Sequence, residues 1–169
     1  ADAGADGALV VTPYYNKPTQ EGLFRHFEAV AKAGGLPVVL YNVPSRTSVD
    51  LLPETTARLA KVPGIVGLKE ATGSLTRVAD LLEALGGAAF DLISGDDALT
   101  LPILAMGGTG VISVASNPVP SRVAAIVKAF GAGDVKAAAA AQVAINGLVR
   151  ALFVETNPGP VKAAMALRG

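Results

Sequence analysis

The sequence of 169 residues has no cysteine, no tryptophan and a single histidine, His26. Without cysteine the chain has no disulfide, no thiolate nucleophile and no cysteine-ligated zinc or iron–sulfur cluster. One histidine argues against a histidine-based metal site and against a serine–histidine relay. We therefore expect the chemistry to come from lysine, tyrosine, arginine or carboxylate side chains rather than from a metal bound by cysteine or histidine.

Net charge and long apolar runs are also lacking. The 14 Lys+Arg residues balance 14 Asp+Glu residues, so no excess of basic side chains is available to neutralise phosphates. The apolar runs, such as residues 8–11 and 38–40, are far shorter than the roughly 20 residues of a membrane span, and no basic leader segment precedes them. We expect a cytoplasmic protein that binds small molecules, with no nucleic-acid or membrane partner.

Short apolar runs rich in valine, isoleucine and leucine alternate with segments of helical periodicity, which predicts an α/β protein with a parallel sheet. The predicted strands are residues 8–12, 37–43, 65–69, 90–94 and 110–114. Apolar residues at helical spacing predict helices between them, for example at Leu23, Phe27 and Val30. Residues 1–7 read as a helix end and a turn that lead directly into a strand, so the chain is expected to be truncated at its N-terminus.

Two folds compete for this pattern, a (β/α)8 barrel and an open doubly wound sheet. No Gly-x-Gly-x-x-Gly follows the first strand, which argues against a dinucleotide-binding open sheet. We therefore predict that residues 1–117 form the C-terminal portion of a barrel, about five of its eight strand–helix units, and that residues 118–169 form a helical extension. Because five strands cannot close a barrel, we do not expect this chain to be active alone.

Lys69 ends an apolar strand. Strand alternation puts Ile65, Gly67 and Lys69 on one face, with Val66 and Leu68 on the other face packed against helices. Lys69 then points into the barrel at its C-terminal rim, where such enzymes place catalytic groups. Desolvation there would lower the pKa of the lysine and leave a neutral amine that attacks a ketone to form a Schiff base. The alternative is a lysine at a strand end that reaches solvent.

Tyr41 and Arg46 lie at the end of the preceding predicted strand. Alternation directs Tyr41 into the same interior as Lys69, where a phenol can donate and accept a proton. Arg46 lies in the following loop, and its planar guanidinium suits the carboxylate of a substrate. Taken singly, Tyr41 could be a buried structural tyrosine and Arg46 a surface arginine; their coincidence with Lys69 favours a site.

Three motifs closely resemble the dihydrodipicolinate synthase family, which belongs to the pyruvate-dependent class I aldolases with a (β/α)8 barrel. They are Tyr41-Asn42-Val43-Pro44-Ser45-Arg46-Thr47, Gly67-Leu68-Lys69-Glu70-Ala71-Thr72-Gly73 and Thr12-Pro13-Tyr14-Tyr15-Asn16-Lys17-Pro18. Further matches follow in order as far as about Arg168. The resemblance implies that Lys69 forms an imine with pyruvate, whose enamine attacks the aldehyde of L-aspartate 4-semialdehyde to give 4-hydroxy-tetrahydrodipicolinate, in lysine and diaminopimelate biosynthesis.

The resemblance also implies roles for the other matching residues. Tyr41 is expected to donate and accept protons beside the Schiff base, and Arg46 to hold the carboxylate of the semialdehyde. Tyr15 is expected to enter the site of a partner subunit in a homo-oligomer, usually a homotetramer. Gly95 and the backbone of Ile112 match positions that line the pyruvate pocket. The paired threonines that contact pyruvate in this family have no counterpart in this sequence.

Other activities remain open. N-acetylneuraminate lyase and 2-keto-3-deoxy sugar acid aldolase would use the same Lys69 and Tyr41 chemistry, and Arg46 favours an aldehyde that carries a carboxylate. A catalytically silent barrel fragment or assembly subunit is an alternative of another class. Asp96 and Asp97 are expected to cap the helix that follows them rather than to bind a cation. The glycines at 107, 108 and 110 are expected to form a tight turn.

Overall fold

The structure is a computed structural model that describes residues 4–168. The chain divides into two compact units, Ala1–Ile93 and Ser94–Gly169. The domain boundary predicted at residue 117 lies where the predicted strands end and the helices begin, whereas the two units are defined by their compactness. The boundary at 117 stays a prediction. Part of the helix end and turn predicted for residues 1–7 lies outside the described residues.

The first unit alternates strands and helices as the sequence predicts. Its strands are β1 (Ala8–Val11), β2 (Val38–Asn42), β3 (Ile65–Glu70) and β4 (Asp91–Ser94), whose last residue falls in the second unit. Its helices are α1 (Gln20–Gly34), α2 (Pro44–Thr47), α3 (Pro53–Leu59) and α4 (Leu75–Leu85). Its core includes the fully buried side chains Leu23, Phe27, Leu40, Leu51, Leu59, Leu68 and Leu81.

The longer helices of this unit begin and end at the residues that favour those positions. The Thr19 hydroxyl accepts a hydrogen bond from the amide of Gly22 at the start of α1, and Gly35 ends the helix with a φ of 61°. In α4 the Ser74 hydroxyl has the same capping role, and Gly86 ends the helix with a φ of 58°. Both helices therefore end at a glycine in the left-handed conformation, which other residues rarely adopt.

The register between β2 and β3 corrects one prediction. Both β1–β2 and β2–β3 are parallel, but the second ladder shifts between Val38 and Val39, so that Val38 pairs with Ile65 and Val39 with Gly67. The shift leaves Val66 as an extra residue. Ile65 therefore shares the buried face with Val38 instead of the Lys69 face. The prediction that Val66 packs against helices is wrong, since Val66 is 39% exposed.

The second unit is mainly helical. A 3-10 turn (Asp97–Leu99) leads into α5 (Thr100–Met106), which is followed by β5 (Gly110–Val111), α6 (Pro120–Gly131), α7 (Val135–Leu152) and α8 (Gly159–Ala166). The predicted strand at 110–114 is shorter than expected because the amides of Val114 and Ala115 donate to the Asp97 carboxylate. Buried side chains of these helices, among them Ile126, Ile145 and Leu152, form the core.

Neighbouring strands of the sheet follow the order of the chain, β1-β2-β3-β4-β5. A doubly wound sheet reverses its strand order at a switch point, whereas a (β/α)8 barrel keeps the order of the chain. The α/β class is confirmed, and the strand order is the one that a partial barrel has. None of the helices in residues 4–168 has the length and apolar character needed to cross a membrane.

Candidate active site

Lys69 and Tyr41 are brought together by the parallel pairing of β2 and β3. They are Cα partners in the ladder, and the Nζ atom of Lys69 lies 4.1 Å from the centroid of the Tyr41 ring. Both side chains are half-buried. A cation at this distance over a ring face is attracted by the ring quadrupole, which holds the amine beside the phenol. The structure therefore differs from the alternative in which Lys69 extends alone into solvent.

The environment of Tyr41 keeps its phenol protonated. Burial raises the pKa of the Tyr41 phenol above its ordinary value of 10.0, and the positive charge of Arg46 opposes that rise. Arg46 lies in α2, where Pro44 occupies the first helical turn, and its side chain is exposed. Tyr41 is thus a neutral hydroxyl at neutral pH, able to donate a proton and to accept one.

Gly67, two residues before Lys69, allows β4 to approach closely. A Cβ atom at this position would lie 2.7 Å from the carbonyl oxygen of Asp91 and 2.9 Å from its Cβ. Close contact with the neighbouring strand therefore explains the glycine at position 67.

A polar network lies behind the Lys69–Tyr41 pair, on the buried face of the same strands. Asn42 and Glu70, the residues that follow Tyr41 and Lys69, are Cα partners and are 0% and 2% exposed. The Asn42 amide donates to Glu70 Oε2 at 3.2 Å and to Asp50 Oδ1 at 3.0 Å. Arg77 of α4 binds both oxygens of Asp50, at 2.8 and 2.7 Å.

The two carboxyl groups of this network respond oppositely to their surroundings. Burial raises the pKa of Glu70 above its ordinary value, against the hydrogen bonds from Thr72 and Asn42 and the charge of Arg77. The hydrogen bonds from Arg77 hold the pKa of Asp50 below its ordinary value, although partial burial opposes that shift. The network therefore carries an ionised Asp50 paired with Arg77, and a Glu70 that burial disfavours as an anion.

Tyr15 is exposed on the surface and does not belong to the cluster formed by Lys69, Tyr41 and the polar network behind them. It lies in the loop between β1 and α1, and its side chain is 93% exposed. Tyr14 beside it is 64% exposed. Large aromatic side chains at this exposure are available for contact with another molecule. The role predicted for Tyr15 at a subunit interface stays a prediction.

Gly95 and Ile112 lie in the second unit. Gly95 directly follows β4, and Ile112 follows β5, where its amide donates to the carbonyl oxygen of Ser94 at 2.9 Å. The Ile112 side chain is 36% exposed. Their predicted place in a pyruvate pocket stays a prediction.

Asp97 organises the segment that follows Ile112. Its carboxylate accepts from the Ser113 hydroxyl and from the amides of Val114 and Ala115, the latter two at 2.9 and 3.0 Å. Ser113 and Val114 also line a cavity of 410 Å³ in the second unit. The expected capping role is confirmed for Asp96, which accepts from the amide of Ala98, but it is wrong for Asp97.

Residues 4–168 contain no cluster of three or more histidine, cysteine, aspartate or glutamate side chains arranged to hold a metal ion. The turn predicted at 107–110 is confirmed, with Gly107 at a φ of 115° and Gly108 packed against Ile103.

Sequence reasoning missed the roles of Asn42, Glu70 and Asp50, and it assigned the wrong role to Asp97. The signal for the first two was visible: a buried strand that is otherwise apolar ends in a polar residue, directly after each of the predicted site residues. No local pattern reveals the partners of Asp97, which lie 16 to 18 residues further along the chain.

Comparison with known proteins agrees with this geometry. A model of the Dihydrodipicolinate synthetase family matches residues 1–169. The 4-hydroxy-tetrahydrodipicolinate synthase of Anaeromyxobacter dehalogenans strain 2CP-1 is 60% identical over 166 residues, which are 98% of this chain and 56% of that protein. The chain therefore spans about half the length of the curated relatives it matches.

Solved structures are similar over the same part. The 4-hydroxy-tetrahydrodipicolinate synthase of Methylacidiphilum fumariolicum SolV is 51% identical with a TM-score of 0.95, over 99% of this chain and 56% of that one. The chloride-inhibited dihydrodipicolinate synthase of Acinetobacter baumannii, solved in complex with pyruvate, is 46% identical with a TM-score of 0.93, over 98% of this chain and 57% of that one.

Proposed function

Because this chain belongs to the Dihydrodipicolinate synthetase family, we propose that Lys69 forms an imine with pyruvate in a partial (β/α)8 barrel. The protein that contains this barrel then condenses pyruvate with L-aspartate 4-semialdehyde to 4-hydroxy-tetrahydrodipicolinate. This reaction is a step of lysine and diaminopimelate biosynthesis. The observation that carries the proposal is the position of the Lys69 nitrogen, 4.1 Å from the centroid of the Tyr41 ring.

Lys69 is the nucleophile of the first step. Its neutral amine attacks the keto carbon of pyruvate to give a carbinolamine, and loss of one water gives the imine. Loss of a proton from the pyruvate methyl group gives the enamine, whose carbon attacks the aldehyde of the semialdehyde. Hydrolysis or internal transfer to the substrate amine then releases Lys69, and no metal or organic cofactor takes part.

Tyr41 is the proton shuttle for these steps. Carbinolamine formation and dehydration each require a proton to move on or off an oxygen beside the lysine nitrogen. A phenol whose pKa is raised by burial remains protonated at neutral pH and can supply that proton. The contact of its ring with Lys69 supports this assignment.

Arg46 and Tyr15 have roles outside the imine itself. Arg46 binds the carboxylate of the aldehyde substrate through its planar guanidinium, which the exposure of its side chain permits. Tyr15, 93% exposed, inserts into the site of a partner subunit in a homotetramer. Gly95 and the backbone of Ile112 line the pyruvate pocket. The protein acts in the cytoplasm.

A coupled assay of the complete gene product tests the choice of aldehyde. We expect turnover with pyruvate and the semialdehyde, and replacement of Arg46 by methionine should raise the half-saturating semialdehyde concentration more than that of pyruvate. Rapid cleavage of N-acetylneuraminate or of a 2-keto-3-deoxy sugar acid, with no turnover of the semialdehyde, would overturn the proposal. A folded product that forms no lysine adduct with pyruvate would indicate a catalytically silent assembly subunit instead.

A further inference from the structure

The bond between Asn42 and Glu70 lies directly behind the Lys69–Tyr41 pair. Each member follows one residue of the pair along its strand, and the two bonded residues are Cα partners just as the pair is. Successive side chains of a strand point to opposite faces, so the pair and the bond occupy opposite faces at the same level of the sheet. Any slip between β2 and β3 would disturb both.

Both hydrogens and the oxygen of the Asn42 side-chain amide take part in hydrogen bonds. Its two hydrogens go to Glu70 Oε2 and Asp50 Oδ1, and its oxygen accepts from the amide of Leu51 at 3.0 Å. Only a primary amide can donate to two carboxyl groups and accept from an N–H at once. An aspartate at position 42 has the same shape and can perform only the last of these tasks.

The chain of bonds continues on both sides of Asn42. The second oxygen of Glu70 accepts from the amide of Thr72, just beyond β3. Both carboxylate oxygens of Asp50 accept hydrogen bonds from the guanidinium group of Arg77 in α4. The end of β2, the end of β3 and helix α4 are thus joined through one network, which is buried at Asn42 and Glu70 and partly exposed at Asp50 and Arg77. Buried polar groups whose partners are all satisfied specify a single arrangement.

Backbone pairing alone fixes the register between β2 and β3 less securely than backbone pairing together with the Asn42–Glu70 bond. The β2–β3 ladder is interrupted between Val38 and Val39, and strand register determines which face each side chain occupies. The Asn42–Glu70 bond lies at the last paired position, next to the position that carries Tyr41 and Lys69. It fixes the register where the site depends on it.

We propose that Asn42 and Glu70 are positioning residues, whose bond on the buried face of the sheet holds Lys69 against the ring of Tyr41. The kinetic consequence of this proposal rests on the proposed function, but the geometric consequence does not. The two can therefore be measured separately in the complete gene product.

The geometric test is the ring-current shift of Lys69. With lysine labelled at its ε-carbon, the Lys69 signal is identified by its loss in Lys69→Arg, and it should be shifted upfield by the Tyr41 ring in the unmodified protein. Asn42→Asp puts a third carboxyl group between Asp50 and Glu70, and the shift should be lost. The matched control is Val78→Ala in α4, which truncates a side chain 1% exposed in the same unit and should leave the shift in place.

A reciprocal exchange separates positioning from general stability. In the double variant Asn42→Asp/Glu70→Gln, the new amide at position 70 donates to the new carboxylate at position 42, which still accepts from Leu51. The number of carboxyl groups returns to two, so part of the shift should return. If Asn42→Asp fails to fold, Glu70→Met alone is measured, because a methionine side chain offers no carboxylate oxygen to the Asn42 amide and the bond is lost.

The kinetic test is the rate of imine trapping at saturating pyruvate. Misplacement of a reacting group costs rate strongly, so Asn42→Asp should slow trapping on the order of tenfold or more. The half-saturating pyruvate concentration should change by less than about twofold, because the network touches the strands and not the substrate. Val78→Ala should match the unmodified protein at temperatures where both are folded.

The outcomes distinguish the two proposals. An unmodified protein that forms no adduct, but whose Lys69 shift responds to Asn42→Asp, overturns the imine and leaves the positioning intact. Adduct formation with a shift and a rate that Asn42→Asp and Glu70→Met leave unchanged overturns the positioning and leaves the imine intact. Equal losses in Val78→Ala and in the Asn42 variant would also overturn it, since general destabilisation would then explain both.

Discussion

The nitrogen of Lys69 lies 4.1 Å from the centroid of the Tyr41 ring, because the two residues are opposite each other in a parallel ladder. The ring face and the hydroxyl of Tyr41 therefore act on Lys69 in different ways. The face attracts the protonated amine, and the hydroxyl is available to move protons. Substitutions can separate these two contributions.

Tyr41→Phe should keep the ring contact and remove the proton shuttle. We expect kcat of the condensation to fall by about 10²- to 10⁴-fold, the usual contribution of a general acid or base. The pyruvate concentration at half saturation should change little. Tyr14→Phe, at a side chain 64% exposed, serves as the matched control and should retain full activity. A Tyr41→Phe enzyme as fast as the parent would show that Tyr41 contributes packing alone.

The pKa of Tyr41 gives a second prediction. Burial raises this pKa above 10.0 and the Arg46 charge lowers it, so removing the charge in Arg46→Met should raise it further. The pKa is measured from tyrosinate ultraviolet absorbance on alkaline titration, with Tyr41→Phe subtracted. Arg25→Met, at an exposed arginine of α1, should leave the value unchanged. A lower Tyr41 pKa in Arg46→Met would contradict the predicted effect of the Arg46 charge.

Gly67→Ala should destabilise the protein. Its added methyl group would meet the Asp91 carbonyl oxygen at 2.7 Å, and backbone atoms of β4 cannot rotate away as a side chain can. We expect a loss of about 1–3 kcal/mol in the free energy of unfolding, as for other overpacked positions. Denaturant titration measures it.

The control for Gly67 is Gly34→Ala, near the end of α1. No atom lies within 4 Å of a Cβ at this position, and alanine favours a helix more than glycine does. The free energy of unfolding should stay the same or rise slightly. Equal losses at Gly67 and Gly34 would contradict the contact with β4.

Asp97→Ala should weaken the segment after β5. It removes the carboxylate that accepts from the amides of Val114 and Ala115, so these donors lose their partner at a cost of about 1–3 kcal/mol in the free energy of unfolding. Because Ile112 adjoins this segment, the half-saturating pyruvate concentration should also rise. Asp96→Asn is the control, since asparagine caps helices as well as aspartate does and should leave both quantities unchanged. Similar effects at both positions would contradict the special role of Asp97.

Much of the first unit was predictable from its sequence. The strand and helix order and the common face of Tyr41 and Lys69 follow from periodicity within short segments. The errors at Ile65 and Val66 have one cause. Alternation was counted through a register shift, and a shift depends on the partner strand rather than on the local sequence.

The polar contacts were less accessible to sequence reasoning. The bond from Asn42 to Glu70 and the bonds to Asp97 join residues from different elements, so no window of the sequence contains both partners. Aspartate before a helix usually caps it, and this rule is correct for Asp96. It fails for Asp97, where amides after β5 offer a buried carboxylate more donors.

Lys69 is the residue that captures pyruvate in the proposed reaction. The most direct measurement is borohydride reduction of the complete gene product with pyruvate, followed by peptide mass analysis. We predict a reduced pyruvate adduct on the peptide that carries Lys69, absent without pyruvate and absent in Lys69→Arg. A folded protein with no adduct, or with the adduct on another lysine, would contradict the account.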